Sequence, residues 1–107
     1  MSGRPVSYRL SSKAEEDLFA IWSYIARDSI KAADRVEAAI HEASDFLATF
    51  PSAGHVRKDL TKLRVRFWTL VPYRKYLIAY DPETSPLQII RIFHGARNIL
   101  RELSKPE

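Results

Sequence analysis

The hydrophobic run Leu87–Phe93 constrains the fold more than any other part of this chain. Its residues are Leu-Gln-Ile-Ile-Arg-Ile-Phe, which is typical of a strand buried at the centre of a sheet. Arg91 lies among the isoleucines, and a guanidinium there requires a carboxylate, a phosphate or several carbonyl groups nearby. His94 follows the strand, and Arg97–Leu103 is predicted to form a closing helix with an apolar inner face. A functional site is therefore expected first at the end of this strand.

Two amphipathic helices are predicted before the strands. The first begins at a capping box formed by Ser12 and Glu15 and ends near Arg27. Its apolar stripe, with Trp22 predicted in the core, consists of Ala14, Leu18, Ile21, Trp22 and Ile25. The second begins around Ile30, is stopped by Pro51 and Gly54, and carries Ala33, Val36, Ile40, Ala43, Leu47 and Phe50. Helices with matching stripes and a short linker form an antiparallel hairpin, and this hairpin needs a sheet to cover.

The remaining segments supply that sheet. Strands are predicted at Val6–Leu10, Leu63–Leu70, Tyr73–Tyr80 and Leu87–Phe93, with a turn at Asp81–Pro86. The predicted order is β-α-α-β-β-β-α, an α+β fold in which the helical hairpin packs on a small antiparallel sheet. We expect a single domain spanning residues 1–107.

Composition excludes several classes of site. The chain has no cysteine, and His41, His55 and His94 lack the spacing of metal ligands. No apolar run approaches the ~18 residues of a membrane span, and the N-terminus lacks the apolar core of a signal peptide. We therefore expect a cytoplasmic protein without a cofactor and without membrane contact.

Charge is divided unevenly along the sequence. Residues 1–54 hold six Lys/Arg and eight Asp/Glu, a net charge of −2, whereas residues 55–107 hold eleven and five, a net charge of +6. An anionic partner is therefore expected at the C-terminal half. Trp68 shares a predicted strand face with Arg64 and Arg66, an arrangement suited to stacking or to a protein contact.

Five stretches, in the same order along the chain, resemble the ParE branch of the RelE/ParE toxins. They are Asp17-Leu18-x-x-Ile21-Trp22-x-Tyr24-Ile25, Ala48-x-Phe50-Pro51-x-x-Gly54, Arg57-x-Asp59-Leu60, Tyr76-Leu77-Ile78-x-Tyr80 and Ile90-Arg91-Ile92-Phe93-His94-Gly95-x-Arg97. The resemblance covers the chain from about Tyr8 to Leu103. It implies the toxin of a type II toxin–antitoxin pair, neutralised by a cognate antitoxin and inhibiting DNA gyrase.

The resemblance leaves a second mechanism open, because RelE-type relatives are ribosome-dependent mRNA endonucleases. Such cleavage needs a base, an acid and cations around the phosphate. Arg91, His94, Arg97 and Tyr80 are the candidates for these roles. The residues from Arg101 to Glu107 contain no tyrosine or histidine, which favours the gyrase mechanism. A third hypothesis is a relative without toxicity that acts only in an operon-repressing complex with its antitoxin.

The expected antitoxin is a ribbon-helix-helix protein whose acidic tail folds on binding to the toxin. The two proteins are expected to form a hetero-oligomer, and this complex contacts operator DNA only through the antitoxin. The candidate residues for binding the antitoxin or the target are Arg64, Arg66, Trp68, Arg74 and Arg97. Two simpler interpretations stay open for the strand end. In the first, Arg91 is a structural arginine paired with Asp59 or Glu83. In the second, His94 hydrogen-bonds to the backbone or to a carboxylate.

Overall fold

The computed structural model describes residues 7–59 and 63–95. Its elements are β1 (Tyr8–Leu10), α1 (Ser12–Ala26), α2 (Ile30–Thr49), a short 3₁₀ helix (Pro51–Ala53), β2 (Arg66–Thr69), β3 (Tyr76–Asp81) and β4 (Leu87–His94). The predicted helix Arg97–Leu103 lies outside the described residues. No helix in the described part of the chain is long and apolar enough to cross a membrane.

The strands form one sheet in the order β1-β4-β3-β2. The hydrophobic run of β4 is therefore in the interior of the sheet, as the sequence predicts. Strands β2, β3 and β4 pair antiparallel, but β1 pairs parallel with β4, with Tyr8 opposite Leu87. The α+β class is confirmed, and the wholly antiparallel sheet is wrong in this one pairing. The reason is topological: the helical hairpin carries the chain away from β1, so β4 can return alongside it in the same direction.

Helix α1 begins one residue earlier than the capping box predicts. The N-cap is Ser11, whose Oγ accepts the Ala14 N–H at 3.0 Å and donates to the Ile90 carbonyl at 2.7 Å. The Ser11 N–H also donates to the Ile89 carbonyl at 2.9 Å. These contacts with β4 fix Ser11 outside the helix, so Ser12 becomes its first residue.

The hairpin packs its inner stripes against one face of the sheet, as predicted. Its buried members in this core are Ala14, Val36, Ile40 and Leu47, which pack with Leu70, Tyr76, Ile78, Tyr80, Leu87, Ile89 and Ile92 of the sheet side. Ala33 of the same stripe is also buried. Two predicted core residues are not in the core. Phe50 is 56% exposed, because α2 ends at Thr49 and the chain turns away there. Trp22 is half-buried, and its indole N–H donates to Asp34 Oδ1 at 2.9 Å.

The other face of the sheet carries a second apolar cluster, formed by Val65, Phe67, Ala79 and Phe93. The predicted alternation around β2 is confirmed for Val65 and Phe67, which are buried. Leu63 is 54% exposed, and β2 begins only at Arg66, so this strand is shorter than predicted. Strand β3 likewise begins at Tyr76 rather than Tyr73.

Candidate functional site

Arg91 is paired with Asp17 of α1. Its Nε and Nη2 donate to the two carboxylate oxygens of Asp17 at 2.8 and 2.9 Å, and Asp17 Oδ2 also accepts the Ile92 N–H at 2.9 Å. The two side chains are only 15% and 16% exposed. Strand β1 pairs with β4 only as far as Ile89. Beyond the end of that pairing, the Asp17 carboxylate supplies the hydrogen-bond acceptor for the Ile92 N–H. The ion pair therefore fastens α1 to β4.

The partners predicted for Arg91 are wrong. Asp59 pairs with Arg57, two residues before it, and Glu83 lies 3.7 Å from a guanidinium nitrogen of Arg64. The sequence shows that Arg91 needs a carboxylate, and the carboxylate comes from the helix that crosses β4.

Tyr80 is completely buried, and its hydroxyl both donates and accepts a hydrogen bond. It donates to the Pro51 carbonyl at 2.7 Å and accepts the Gly54 N–H at 2.8 Å. Burial raises the pKa of Tyr80 and outweighs the opposite effects of the Gly54 N–H and the Arg66 charge. Tyr80 therefore holds the chain after α2 against the sheet, and its proton is not accessible to a substrate.

Arg64 and Arg66 lie at the other edge of the sheet, and both have partners. Arg64 Nη2 lies 3.1 Å from Asp81 Oδ2, although the arginine side chain is 63% exposed. Arg66 Nη1 donates to the Gly54 carbonyl at 2.8 Å. Arg66 thus stabilises the segment that Tyr80 also holds, whereas Arg64 remains accessible to a partner.

Trp68 packs in an aromatic cluster. Its ring centroid lies 5.3 Å from that of Phe46, which in turn lies 5.2 Å from that of Phe50. The sequence predicts that Trp68 shares a strand face with Arg64 and Arg66. In the structure, its ring packs against Phe46 of α2. Arg74 is exposed in the connection between β2 and β3, and Arg97 lies outside the described residues.

His94 is exposed at the end of β4. It lies opposite Tyr76 of β3, with ring centroids 5.5 Å apart. The two rings border an open cleft of about 450 Å³, which we call the tyrosine cleft. Its lining residues are Ala20, Ile21, Tyr24, Lys75, Tyr76 and His94.

Of the residues predicted for RNA cleavage, the structure describes Arg91, His94 and Tyr80, and it does not gather these three into one site. Tyr76 pairs with His94, and Tyr80 is four residues further along β3, which corresponds to roughly 13 Å of strand. Arg91 is engaged by Asp17, and the Tyr80 hydroxyl is enclosed. Within residues 7–59 and 63–95 there is also no cluster of His, Asp and Glu that could hold a metal ion.

A family model described as the ParE toxin of the type II toxin–antitoxin system parDE matches residues 8–99. The chain belongs to the ParE toxin family. A solved structure described as a chromosomal ParDE TA system from P. aeruginosa has the same fold, with a TM-score of 0.67 and 24% sequence identity. That match covers 84% of this chain and 96% of the other, and at this identity it shows the fold alone. A search of curated proteins found no match.

As a ParE toxin, the protein is the toxin of a type II toxin–antitoxin system, and this confirms the resemblance seen in its sequence motifs. Four of those five motifs supply residues to structural contacts in this member. Asp17 and Arg91 of two distant motifs form the ion pair between α1 and β4, and Tyr80 is hydrogen-bonded to Gly54 of another. The motifs therefore identify the family largely through contacts that maintain its fold.

Sequence reasoning missed Tyr24, Lys75 and Tyr76 as site residues of this ParE toxin. They come from α1 and from the start of β3, and only the packing of α1 on the sheet places them beside His94. The sequence signal available for Tyr24 and Tyr76 was their place in two of the stretches that carry the family resemblance. Lys75 had no such signal, and the 68% exposure of Tyr24 is known only from the structure.

Proposed function

We propose that this ParE toxin inhibits DNA gyrase and is neutralised by the antitoxin encoded beside it. The observation that carries the proposal is the family match over residues 8–99. The geometry supports it against the nuclease alternative, because Arg91 and Tyr80 are engaged in structural contacts. A protein that acts by binding needs no general acid or base.

The nuclease alternative retains one accessible group. His94 is exposed and could exchange a proton with a substrate, and Lys75 lies nearby in the same cleft. Among the described residues of the cleft, His94 supplies a base and Lys75 a cation, and the remaining proton donors are the hydroxyls of two tyrosines. Burial raises the pKa of the Tyr76 hydroxyl, which makes it a weaker acid. This supports gyrase inhibition as the first function to test.

The decisive experiment is a supercoiling assay with purified toxin, DNA gyrase and relaxed plasmid. We expect loss of supercoiling with accumulation of cleaved DNA, and recovery when the antitoxin is added in excess. Toxin unfolded by heat serves as the negative control. Undisturbed supercoiling at a large molar excess of folded toxin would refute the proposal.

The nuclease alternative has its own assay, cleavage of mRNA bound to ribosomes. We expect no cleavage with the wild type. Cleavage that is lost in His94→Ala would instead establish an endonuclease, because His94 is exposed and its replacement leaves the core intact. If expression affects neither DNA nor translation but operator binding requires both proteins, the operon-repressor hypothesis is favoured.

The proposed antitoxin is a ribbon-helix-helix protein that carries operator contacts for the whole hetero-oligomer, with an acidic tail that folds on the toxin. Its proposed contacts include Arg64, Arg66, Trp68, Arg74 and Arg97. The proposed location of the pair is the cytoplasm, where DNA gyrase acts.

The structure determines which of these residues give a clean test of antitoxin binding. Arg64 and Arg74 are exposed, whereas charge reversal at Arg66 would also remove its bond to the Gly54 carbonyl. We expect the double variant, Arg64→Glu combined with Arg74→Glu, to bind the antitoxin more than about tenfold more weakly than the wild type, as measured by calorimetry. Lys31→Glu on α2, also exposed, is the matched control. Equal affinities for all three proteins would remove Arg64 and Arg74 from the interface.

A further inference from the structure

The tyrosine cleft combines apolar walls with the ammonium of Lys75 and the imidazole of His94. Ala20, Ile21 and the two tyrosine rings form its apolar part, and Lys75 and His94 stand at its border. The Lys75 ammonium lies 5.7 Å from the centroid of the Tyr76 ring. No carboxylate is among the described residues that line the cleft. A ligand that fits it therefore has an apolar body and a negative charge.

Tyr24 is an exposed aromatic residue of this surface. Its side chain is 68% exposed, and the Arg27 guanidinium lies 5.9 Å from the centroid of its ring. An accessible tyrosine with cations close by is the type of residue that contributes most to protein–protein binding when a partner covers it. Tyr24 and Lys75 are both exposed, so a partner can reach both in the folded protein.

The cleft is rigid at its base. Tyr76 and His94 are paired across β3 and β4, and the Gly95 N–H donates to the Lys75 carbonyl. On the helix side, the Arg91–Asp17 ion pair fixes α1 one turn before Ile21. A surface whose two walls are already fixed loses little conformational entropy on binding, which favours affinity.

Two other surface clefts lack this combination. One is formed by residues around the end of α2, including Phe46, Phe50 and Pro51, and none of the described residues that line it is charged. The other, next to Trp22, has Glu15 and Glu37 in its lining and would repel an acidic ligand. Charge complementarity therefore distinguishes the tyrosine cleft as the one of these three suited to an acidic peptide.

We propose that the tyrosine cleft binds an acidic segment of the antitoxin, with an apolar side chain between Tyr24 and Tyr76 and a neighbouring carboxylate against Lys75 and His94. This inference rests on the proposed pairing with an antitoxin, and it adds a contact surface on α1, β3 and β4 to the proposed contacts at Arg64 and Arg66 near the β2 edge of the sheet.

The test measures the affinity of the full-length antitoxin for full-length toxin variants by calorimetry. We expect Tyr24→Ala and Lys75→Glu each to weaken binding by about tenfold or more. Lys58→Glu, an exposed lysine away from the cleft, is the matched control and is expected to change affinity by less than about threefold. Circular dichroism verifies that each variant is folded.

A charge-exchange experiment then identifies the carboxylate. Each acidic residue of the antitoxin is changed to lysine, and the substitution that restores binding to Lys75→Glu marks the partner of Lys75.

The outcomes separate the two proposals. If wild-type toxin does not bind the antitoxin, the proposed pairing fails and this inference fails with it. If the wild type binds but Tyr24→Ala and Lys75→Glu bind equally well, only the tyrosine cleft is overturned. If Tyr24→Ala changes the sedimentation mass of the free toxin and leaves antitoxin affinity unchanged, the cleft is a contact between copies of this chain, which also overturns the inference.

Discussion

The ion pair between Arg91 and Asp17 is expected to be the strongest polar link between the helical hairpin and the sheet. Arg91→Met removes the guanidinium and keeps an apolar chain of similar length at the same place. Asp17 then retains the Ile92 N–H but loses two charge-assisted hydrogen bonds, of 2.8 and 2.9 Å. We expect a loss of stability without loss of the fold.

The magnitude follows from the burial and the geometry of the pair. Exposed ion pairs contribute about 0–1 kcal/mol, whereas removing one partner of a buried pair costs about 3–5 kcal/mol. Side chains that are 15% and 16% exposed, with bidentate geometry, place Arg91→Met near 3 kcal/mol, an order-of-magnitude value. A change of about 3 kcal/mol lowers the melting temperature of a domain of this size by roughly 12–24 °C.

The assay is a double-mutant cycle followed by urea unfolding. It compares the wild type with Arg91→Met, Asp17→Leu and the double variant. Because the double variant replaces both charges with apolar groups, it should be less destabilised than the sum of the two single variants by at least about 1.5 kcal/mol. The exposed pair Arg57–Asp59 is the control, and Asp59→Asn should leave the unfolding midpoint unchanged.

Additive losses in the cycle would refute this reasoning. They would show that Arg91 and Asp17 stabilise the protein independently, through contacts other than the ion pair. Single-variant losses as small as that of Asp59→Asn would also refute it, because they would mean that the pair is as well solvated as a surface pair.

Three further predictions concern single sites and pH. Gly54→Ala would place a Cβ 2.5 Å from the Tyr80 hydroxyl and 2.9 Å from the Phe67 carbonyl oxygen. It should therefore lower thermal stability more than Gly95→Ala, whose Cβ meets no atom of the described residues within 4 Å and which costs about 1–2 kcal/mol for its φ of 77°. Equal losses would contradict the close packing at Gly54. Ser11→Ala should cost about 1 kcal/mol by removing the N-cap of α1, and Ser12→Ala much less; the reverse order in urea unfolding would restore the capping box predicted from the sequence. Burial raises the pKa of Tyr8, Tyr76 and Tyr80 above 10.0, so the folded state keeps these protons when the unfolded state releases them, and stability should fall as the pH rises above 10.0. Stability that is constant through alkaline pH would disprove this.

The helices could be predicted from the sequence because their signals are local. The stripe spacing, the serines before each helix and Pro51 after the second are read within a few residues of one another, and the observed helices end within a residue or two of the predictions. The position of β4 in the sheet interior follows in the same way from its hydrophobicity. The family could be identified as well, because the motif residues and their order are properties of the chain.

The parallel pairing of β1 could not be predicted, because strand direction depends on where the chain returns after the hairpin. The same limit explains the error at Ser11. Its hydrogen bond to the Ile90 carbonyl spans 79 residues of sequence, and nothing near Ser11 indicates that contact.

The sequence by itself determined that Arg91 needs a carboxylate, because a guanidinium in a hydrophobic strand is costly without one. Only the tertiary structure decided that Asp17, 74 residues away, supplies it. The same holds for the tyrosine cleft, whose residues come from α1, β3 and β4. Residue types and local periodicity set what each element can do, whereas the packing of distant elements decides which side chains meet.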